Sequence, residues 1–250
     1  MTFWAAVVLA IVAALLYQAR GVIGVILADG KMRVGDYEGA LCRLRWTSLG
    51  IPNTVSLHKE GLVLALAGRP AEAELCYRKA LDLVQSGDAY PRERLLASQG
   101  QALIDLARYD EAEQCFRDAL EAGDRSGNAQ DGLAEVRLVR GVEADQALAH
   151  NALAIEDAKR RTDLRVPGSY YALQAWALAL LGREGEADDS LAQALRGPEP
   201  NARTTACLHW RAGMARVAMR QPEEARKHFQ TGYNLDPRGK YGSRCRQYLV

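Results

Sequence analysis

The sequence lacks the signals of a strand-based fold. It has no continuous runs rich in valine, isoleucine and threonine that are separated by hairpin turns. Only eight of its 250 residues are proline, whereas alanine, leucine, glutamate, arginine and glutamine, which favour helices, are abundant. Apolar residues make up 48% of the chain, which is enough to form a core. The composition therefore predicts an all-α protein.

The chain also lacks a strong net charge and a cysteine motif. Its formal net charge is +1, so no global field favours a nucleic-acid partner. The five cysteines are an odd number, include no C-x-x-C pair and have no zinc-type spacing. They are better explained as small apolar residues than as metal ligands, and an oxidising compartment is disfavoured.

Motifs that would indicate an enzyme are missing as well. The sequence contains no G-x-S-x-G, no H-E-x-x-H, no phosphate loop and no dinucleotide glycine signature. The four histidines are far apart in the sequence, and no two have the spacing of ligands on one helix. Acidic residues cluster in turns and at helix starts, where they complement the helix dipole. We therefore expect no catalytic residue, no metal and no cofactor.

Charge is absent from residues 1–19, MTFWAAVVLAIVAALLYQA, and Arg20 is the first charged side chain. This length is close to the ~20 residues that cross a bilayer as a helix. Trp4 and Tyr17 lie near its ends, where aromatic anchors are typical. A cleaved signal peptide would need basic residues before the apolar run and a small-residue cleavage site. The sequence favours a transmembrane anchor, and a signal peptide or a buried core helix is the alternative.

The charges after this span predict its orientation. The cations that follow it are Arg20, Lys31, Arg33, Arg43 and Arg45, and only the amino terminus precedes it. The positive-inside rule then places the amino terminus outside and the body of the protein in the cytoplasm. A periplasmic or otherwise exported protein is the alternative.

The chain repeats a helical phrase. Residues 67–81, AGRPAEAELCYRKAL, and residues 106–120, LARYDEAEQCFRDAL, agree at eight of fifteen positions. Weaker copies recur, and each carries a marker alanine after a turn: Ala40, Ala73, Ala112, Ala147, Ala187 and Ala225. Four residues later comes a bulky residue in most copies: Leu44, Tyr77, Phe116, Leu191 and Phe229, with Asn151 in the fourth. Twelve residues before the marker a small residue recurs: Ala28, Gly61, Gly100, Ala175 and Gly213.

This pattern resembles the tetratricopeptide repeat (TPR) family, whose units have ~34 residues with small, aromatic and terminal proline positions. Pro52 and Pro237 match the terminal proline position. The resemblance covers about residues 20–237 and implies a right-handed solenoid of about six helix-turn-helix units. Several junctions, such as QSGDAYP and GPEPN, are longer and more polar than the family pattern. We expect residues 238–250 to be a basic C-terminal cap or tail, with contact to anionic lipid headgroups as the alternative.

The resemblance also implies a protein or peptide partner in a concave groove, which the first helix of each unit lines. The family positions that face this groove fall on His58, Leu62, Arg94, Gln101, Trp176, Trp210 and Met214. The asparagine and lysine or arginine set of the carboxylate-binding subclass is absent. This leaves a groove suited to an amphipathic helix or an extended apolar peptide. Trp176 and Trp210 could instead belong to the core.

These features together predict a membrane-anchored TPR scaffold or assembly factor that recruits a protein partner to the membrane. One alternative is an integral structural subunit of a larger membrane complex, because the small residues of the span permit close helix contact. Another alternative is an exported TPR protein in envelope assembly.

Overall fold

A computed structural model of the chain describes residues 7–8, 23–48, 53–85, 87, 89–160, 166–197 and 199–249. These residues form thirteen helices and no strand, so the prediction of an all-α solenoid is confirmed. The first helix, α1, is described over residues 23–33. The others are α2 Tyr37–Ser48, α3 Thr54–Leu66, α4 Pro70–Gln85, α5 Arg92–Asp105, α6 Tyr109–Glu121, α7 Asn128–Arg140, α8 Ala144–Arg160, α9 Gly168–Leu180, α10 Glu184–Ala194, α11 Ala202–Ala218, α12 Pro222–Leu235 and α13 Lys240–Arg246.

The helices pack in consecutive pairs, from α3 with α4 to α11 with α12. The marker alanines that define the sequence repeat lie in the first turn of the second helix of each pair, and all six are at most 2% exposed. A methyl side chain at this position lets two helix backbones approach closely, because ridges of larger side chains would hold them apart. The repeat in the sequence therefore reflects the same close contact between two helices in each unit.

The bulky residue of each unit fills the space over the small residue of the partner helix. Tyr77 and Phe116 are each 1% exposed, and their rings cover glycines of the preceding helices. A Cβ atom added at Gly61 would lie 2.6 Å from the Tyr77 ring, and one added at Gly100 would lie 2.8 Å from the Phe116 ring. Glycine is required at both positions because two helix backbones enclose an aromatic ring there.

We expect Gly100→Ala to lower the free energy of unfolding by about 1–2 kcal/mol, even though alanine favours helices. The added methyl group must displace the buried Phe116 ring. Gly185→Ala in α10 is the matched control, since no atom lies within 4 Å of a Cβ added there. Urea denaturation followed by circular dichroism measures both variants. Equal stability of the two would contradict the assignment of Gly100 to this contact.

The fourth unit departs from the pattern because it has Asn151 in place of a bulky residue. Asn151 is completely buried, and its Nδ2 atom donates a hydrogen bond of 3.0 Å to the carbonyl oxygen of Tyr170 at the start of α9. The side chain therefore connects the fourth unit to the fifth by a polar contact instead of apolar packing.

Two of the polar junctions contain a side chain that caps the helix after it. Between α6 and α7 the Asp124 carboxylate accepts hydrogen bonds from the backbone N–H groups of Ser126 and Ala129, both at 2.9 Å. Before α11, the Asn201 side chain accepts from the backbone N–H of Thr204, and Thr204 returns a contact to the N–H of Asn201. These contacts satisfy backbone donors that have no partner inside the helix.

The first and last units of the solenoid meet. The Tyr37 hydroxyl in α2 donates a buried hydrogen bond of 2.9 Å to Asp236, which follows α12 and lies 199 residues away in the sequence. Burial raises the pKa of Asp236, although the Tyr37 hydroxyl and the nearby Arg203 charge oppose this effect. A cleft of about 680 Å³ lies beside the contact. The chain therefore coils far enough for its inner face to be enclosed by helices from distant units.

Within the ranges given above, no helix is both long enough and apolar enough to cross a bilayer. Residues 1–19, where the sequence predicts the anchor, lie outside those ranges except for residues 7 and 8. The anchor therefore stays a prediction from the sequence.

Candidate functional site

The C-terminal helix α13 lies on the inner face of the solenoid. It packs against α11 and α12, and its side chains reach α5 and α7, which belong to the third and fourth units. Because α5, α7 and α11 are first helices of their units, α13 lies where the family resemblance places a partner groove. The groove predicted from the sequence is therefore partly filled by the chain itself.

A buried arginine on α11 holds two carboxylates of α7. Arg211 is 2% exposed and donates two hydrogen bonds to Asp131, at 3.0 and 2.7 Å, and one to Glu135 at 2.6 Å. A further bond of 3.1 Å goes to the carbonyl oxygen of Ser169. Bidentate pairing suits the planar guanidinium group and fixes the distance between α7 and α11.

Two cations of α13 extend this cluster to α5. Lys240 Nζ lies 2.7 Å from one carboxylate oxygen of Asp105, and Arg244 contacts the other oxygen at 2.5 Å. Arg244 also donates a bond of 3.0 Å to Glu135. The inner-face cluster, which we define as Asp105, Asp131, Glu135, Arg211, Lys240 and Arg244, thus joins four helices with three acidic and three basic groups.

The charges of this cluster shift one another's pKa values. Burial alone would raise the pKa of Glu135, but the adjacent Arg211, Arg244 and Lys240 charges hold it well below its usual range. Burial lowers the pKa of Lys240, and the Asp105 charge opposes this effect. The pKa of Arg244 is raised because Glu135 and Asp105 outweigh its burial. The Glu135 carboxylate therefore stays ionised while α13 is in place.

Aromatic rings cover one side of the cluster. The Trp210 ring meets Trp176 edge-on, with centroids 5.7 Å apart and an angle of 82° between their planes. The Arg244 guanidinium lies 4.4 Å from the Trp210 centroid, a distance typical of a cation–π contact. Tyr241 of α13 lies 6.1 Å from the same ring. Trp210 therefore contacts α13 both through charge and through aromatic packing.

Helix α13 divides the inner face into two clefts. A cleft of about 310 Å³ is lined by three of the predicted groove residues, Leu62, Arg94 and Gln101. A cleft of about 550 Å³ is lined by three more of the predicted groove residues, Trp176, Trp210 and Met214. Both tryptophans are nevertheless nearly buried, at 3% and 4% exposure, so only their edges reach the cleft. The role of these residues as partner contacts stays a prediction.

The seventh predicted residue, His58, lies beneath the surface. Its Nδ1 atom is 2.6 Å from the Tyr90 hydroxyl and its Nε2 atom is 3.0 Å from the Ser98 hydroxyl. Burial, together with the Arg94 and Lys59 charges, lowers its pKa to about 4. His58 is therefore neutral at physiological pH and connects α3 to α5 and to the segment before α5.

Sequence reasoning missed the inner-face cluster. The sequence predicts a basic cap or tail for the segment that contains Lys240 and Arg244, and it predicts acidic residues in turns and at helix starts. One signal was present, because Asp131 and Glu135 lie four residues apart in the stretch DGLAEVRLV, among apolar residues of one helix. Acidic residues at that spacing share a helix face, and a face that is otherwise apolar requires a buried cation to accompany them.

The structure also brings together two histidines that the sequence places far apart. His209 in α11 and His228 in α12 have their Nδ1 atoms 3.0 Å apart. Burial lowers the pKa of both, and for His228 the value falls to about 4. Within the described ranges no three histidine, cysteine, aspartate or glutamate side chains form a group that could hold a metal ion. The pair is a neutral packing contact between the helices of the sixth unit.

Comparisons with known proteins agree with this architecture. Residues 93–122, which cover most of α5 and all of α6, match the family profile described as tetratricopeptide repeat. A tetratricopeptide repeat protein from Parabacteroides merdae has a similar structure, with a TM-score of 0.63, 21% identity, and coverage of 93% of this chain and 82% of that one. No curated protein matches the sequence.

Two further solved structures are similar. The pilF protein of Pseudomonas aeruginosa has a TM-score of 0.57 and 20% identity, with coverage of 88% of this chain and 94% of that one. A thermophilic TPR protein in Thermus thermophilus has a TM-score of 0.57 and 20% identity, with coverage of 78% and 98%. Identities this low support the fold alone. The third unit therefore matches a tetratricopeptide repeat by its profile, and the described part of the chain has the fold of solved tetratricopeptide-repeat structures.

Proposed function

We propose that the protein is a membrane-anchored scaffold that binds a protein partner on its inner face and recruits or assembles that partner at the membrane. TPR solenoids bind proteins or peptides, and this chain has no catalytic motif. The observation that carries the proposal is the inner face itself. It combines two tryptophans, a half-buried methionine and the Asp105 carboxylate beside a cleft of about 550 Å³.

The membrane part of the proposal rests on the sequence of residues 1–19. This stretch has no charged side chain and is close to the length of a bilayer-spanning helix. Cations follow it, so the body of the protein belongs in the cytoplasm according to the positive-inside rule. An exported form with these residues removed is the competing location.

An integral subunit of a larger membrane complex is the second candidate function. The span contains five alanines between residues 5 and 14, and small residues permit close packing against other membrane helices. Replacing residues 1–19 with an unrelated span separates the two functions. A recruiting scaffold keeps its function after the exchange, whereas an integral subunit loses its place in the complex.

The experiment that tests the proposal is chemical crosslinking of the full-length protein in its native membranes, followed by mass spectrometry. We expect the protein to remain in carbonate-washed membranes and crosslinks to join inner-face residues to one soluble protein. Crosslinks concentrated in residues 1–20, to integral proteins, would favour the subunit function. A mature amino terminus near Arg20 and recovery in the soluble fraction would contradict membrane anchoring.

A further inference from the structure

Helix α13 occupies the inner face in the way that a ligand occupies its site. Its Lys240 and Arg244 side chains contact carboxylates of α5 and α7, and Arg244 lies over the Trp210 ring. Both cations come from one helix face, since they are four residues apart. These contacts show that the inner face binds a helix with two cations on one face.

The position of α13 depends on these side chains more than on its own helical stability. With seven residues, it is too short to be stable as an isolated helix. The backbone hydrogen bonds around it are local, such as that from the Gly239 N–H to the Asp236 carbonyl oxygen at 3.1 Å. The Pro237 and Gly239 positions before it form a short link to α12. This link lets α13 move without unwinding α12, but its departure also exposes Cys245, which is 0% exposed, and separates the Tyr248 ring from the Phe229 ring on which it stacks.

Without α13 the rest of the inner-face cluster carries a net negative charge. Three carboxylates, those of Asp105, Asp131 and Glu135, would face the single guanidinium of Arg211, which gives a net charge of −2. Lys240 and Arg244 supply the two positive charges that balance it. A partner that takes the place of α13 must also bring about two positive charges.

Departure of α13 leaves little buried charge without a partner. Arg211 continues to pair with Asp131 and Glu135, so only Asp105 loses all of its cations. Asp105 lines the cleft of about 550 Å³, through which water can reach its carboxylate. The desolvation cost of buried ion pairs largely offsets their attraction. An intact α13 is therefore held only weakly by its ion pairs, whereas an α13 without Lys240 and Arg244 would bury Asp105 with no cation, which favours its departure.

We propose that α13 is a displaceable occupant of the inner face, and that the partner replaces it with a short basic helical segment. This segment carries a lysine, an adjacent aromatic residue and an arginine four residues after the lysine, and it contacts Asp105, Glu135 and Trp210. The inference rests on the proposed function, because it names the chemistry of the partner that the scaffold binds.

A peptide that copies residues 237–249 tests this proposal, with Cys245→Ser to prevent oxidation and a fluorescent label. The protein is the full chain, compared with its Lys240→Ala/Arg244→Ala double variant. We expect the double variant to bind the peptide at least ten-fold more tightly, because its own helix no longer competes. A control peptide with Lys240→Glu and Arg244→Glu is expected to bind at least ten-fold more weakly than the copy.

Variants of the inner face locate the binding. In the double-variant background, Asp105→Asn is expected to weaken peptide binding at least ten-fold. Asp110→Asn is the matched control on α6, since its side chain is 90% exposed, and it is expected to leave binding unchanged. If circular dichroism shows that the double variant is unfolded, Arg244→Gln alone takes its place, with an expected gain of at least three-fold.

Three results would overturn the proposal. The first is a folded variant that does not bind the peptide. The second is hydrogen exchange in which the α13 amides exchange only together with those of α11, since α13 would then be a permanent part of the core. The third is a dimer in which α13 of one copy occupies the inner face of another. If the chain captures a membrane-associated protein but ignores the peptide, the inference fails and the proposed scaffold function stands.

Discussion

Replacing Arg211 with leucine is expected to lower the free energy of unfolding by about 3–5 kcal/mol, which is typical when a buried ion pair loses one partner. Arg211 is 2% exposed, and its guanidinium forms the only ion pairs of Asp131 among the described residues. Asp131 would become a buried carboxylate without a cation, while Glu135 would keep Arg244 alone. The variant should also loosen the contact between the fourth and sixth units.

Urea denaturation of the native chain and the variant measures this loss. The matched control is Arg183→Leu, which removes an exposed pair with Glu186 at the start of α10, where both side chains are about half exposed. Exposed pairs contribute about 0–1 kcal/mol, so the control is expected to remain close to the native chain. Similar losses in the two variants would show that the Arg211 contacts have no special role in stability.

The protein is expected to lose stability as the pH falls from about 6.5 to about 4. His58 has an ordinary pKa near 6.5 in the unfolded chain, whereas burial and the Arg94 and Lys59 charges lower it to about 4 in the folded protein. Between these values the unfolded state binds a proton that the folded state does not. The stabilisation is therefore complete above pH 6.5 and is lost progressively down to pH 4. His58 alone accounts for about 3 kcal/mol.

His58→Gln tests the cause of this pH dependence, because glutamine can keep the hydrogen bonds to Tyr90 and Ser98 but does not titrate. We expect the loss of stability between pH 6.5 and 4 to be smaller by about 2–3 kcal/mol than in the native chain. His150→Gln is the comparison, since His150 is less buried, and it should reduce the loss by a smaller amount. An unchanged pH profile in His58→Gln would show that other groups cause the acid loss.

The packing of the repeat could be predicted from the sequence because it is local. Within each unit the marker alanine and the bulky residue are four residues apart, so both lie on the same face of the second helix. The contact of this face with the first helix depends only on helix geometry and one short turn. Ala112 and Phe116 both lie in the core as predicted. The fourth unit shows the limit of this reasoning, because the partner of Asn151 is a backbone atom of the next unit.

The inner-face cluster could not be predicted in the same way. Arg211 and Asp131 are 80 residues apart, and Arg244 and Asp105 are 139 residues apart. Contacts between such distant residues depend on the curvature of the solenoid, which accumulates from small rotations at each junction. A repeat pattern defines which face of a helix is buried but does not define this curvature. The direction of α13 depends on it too, so the sequence predicts a basic cap or tail for residues 238–250 but not its place on the inner face.

The proposed scaffold binds its partner on the inner face that α13 occupies. The most direct test places a photoreactive amino acid at Met214, beside the cleft of about 550 Å³, and at Leu153, an exposed residue of α8, for crosslinking in native membranes. We expect a crosslinked partner from position 214 but not from 153, and excess peptide copying residues 237–249 should suppress it. A partner captured from position 153 alone, or one that the peptide does not affect, would contradict the claim.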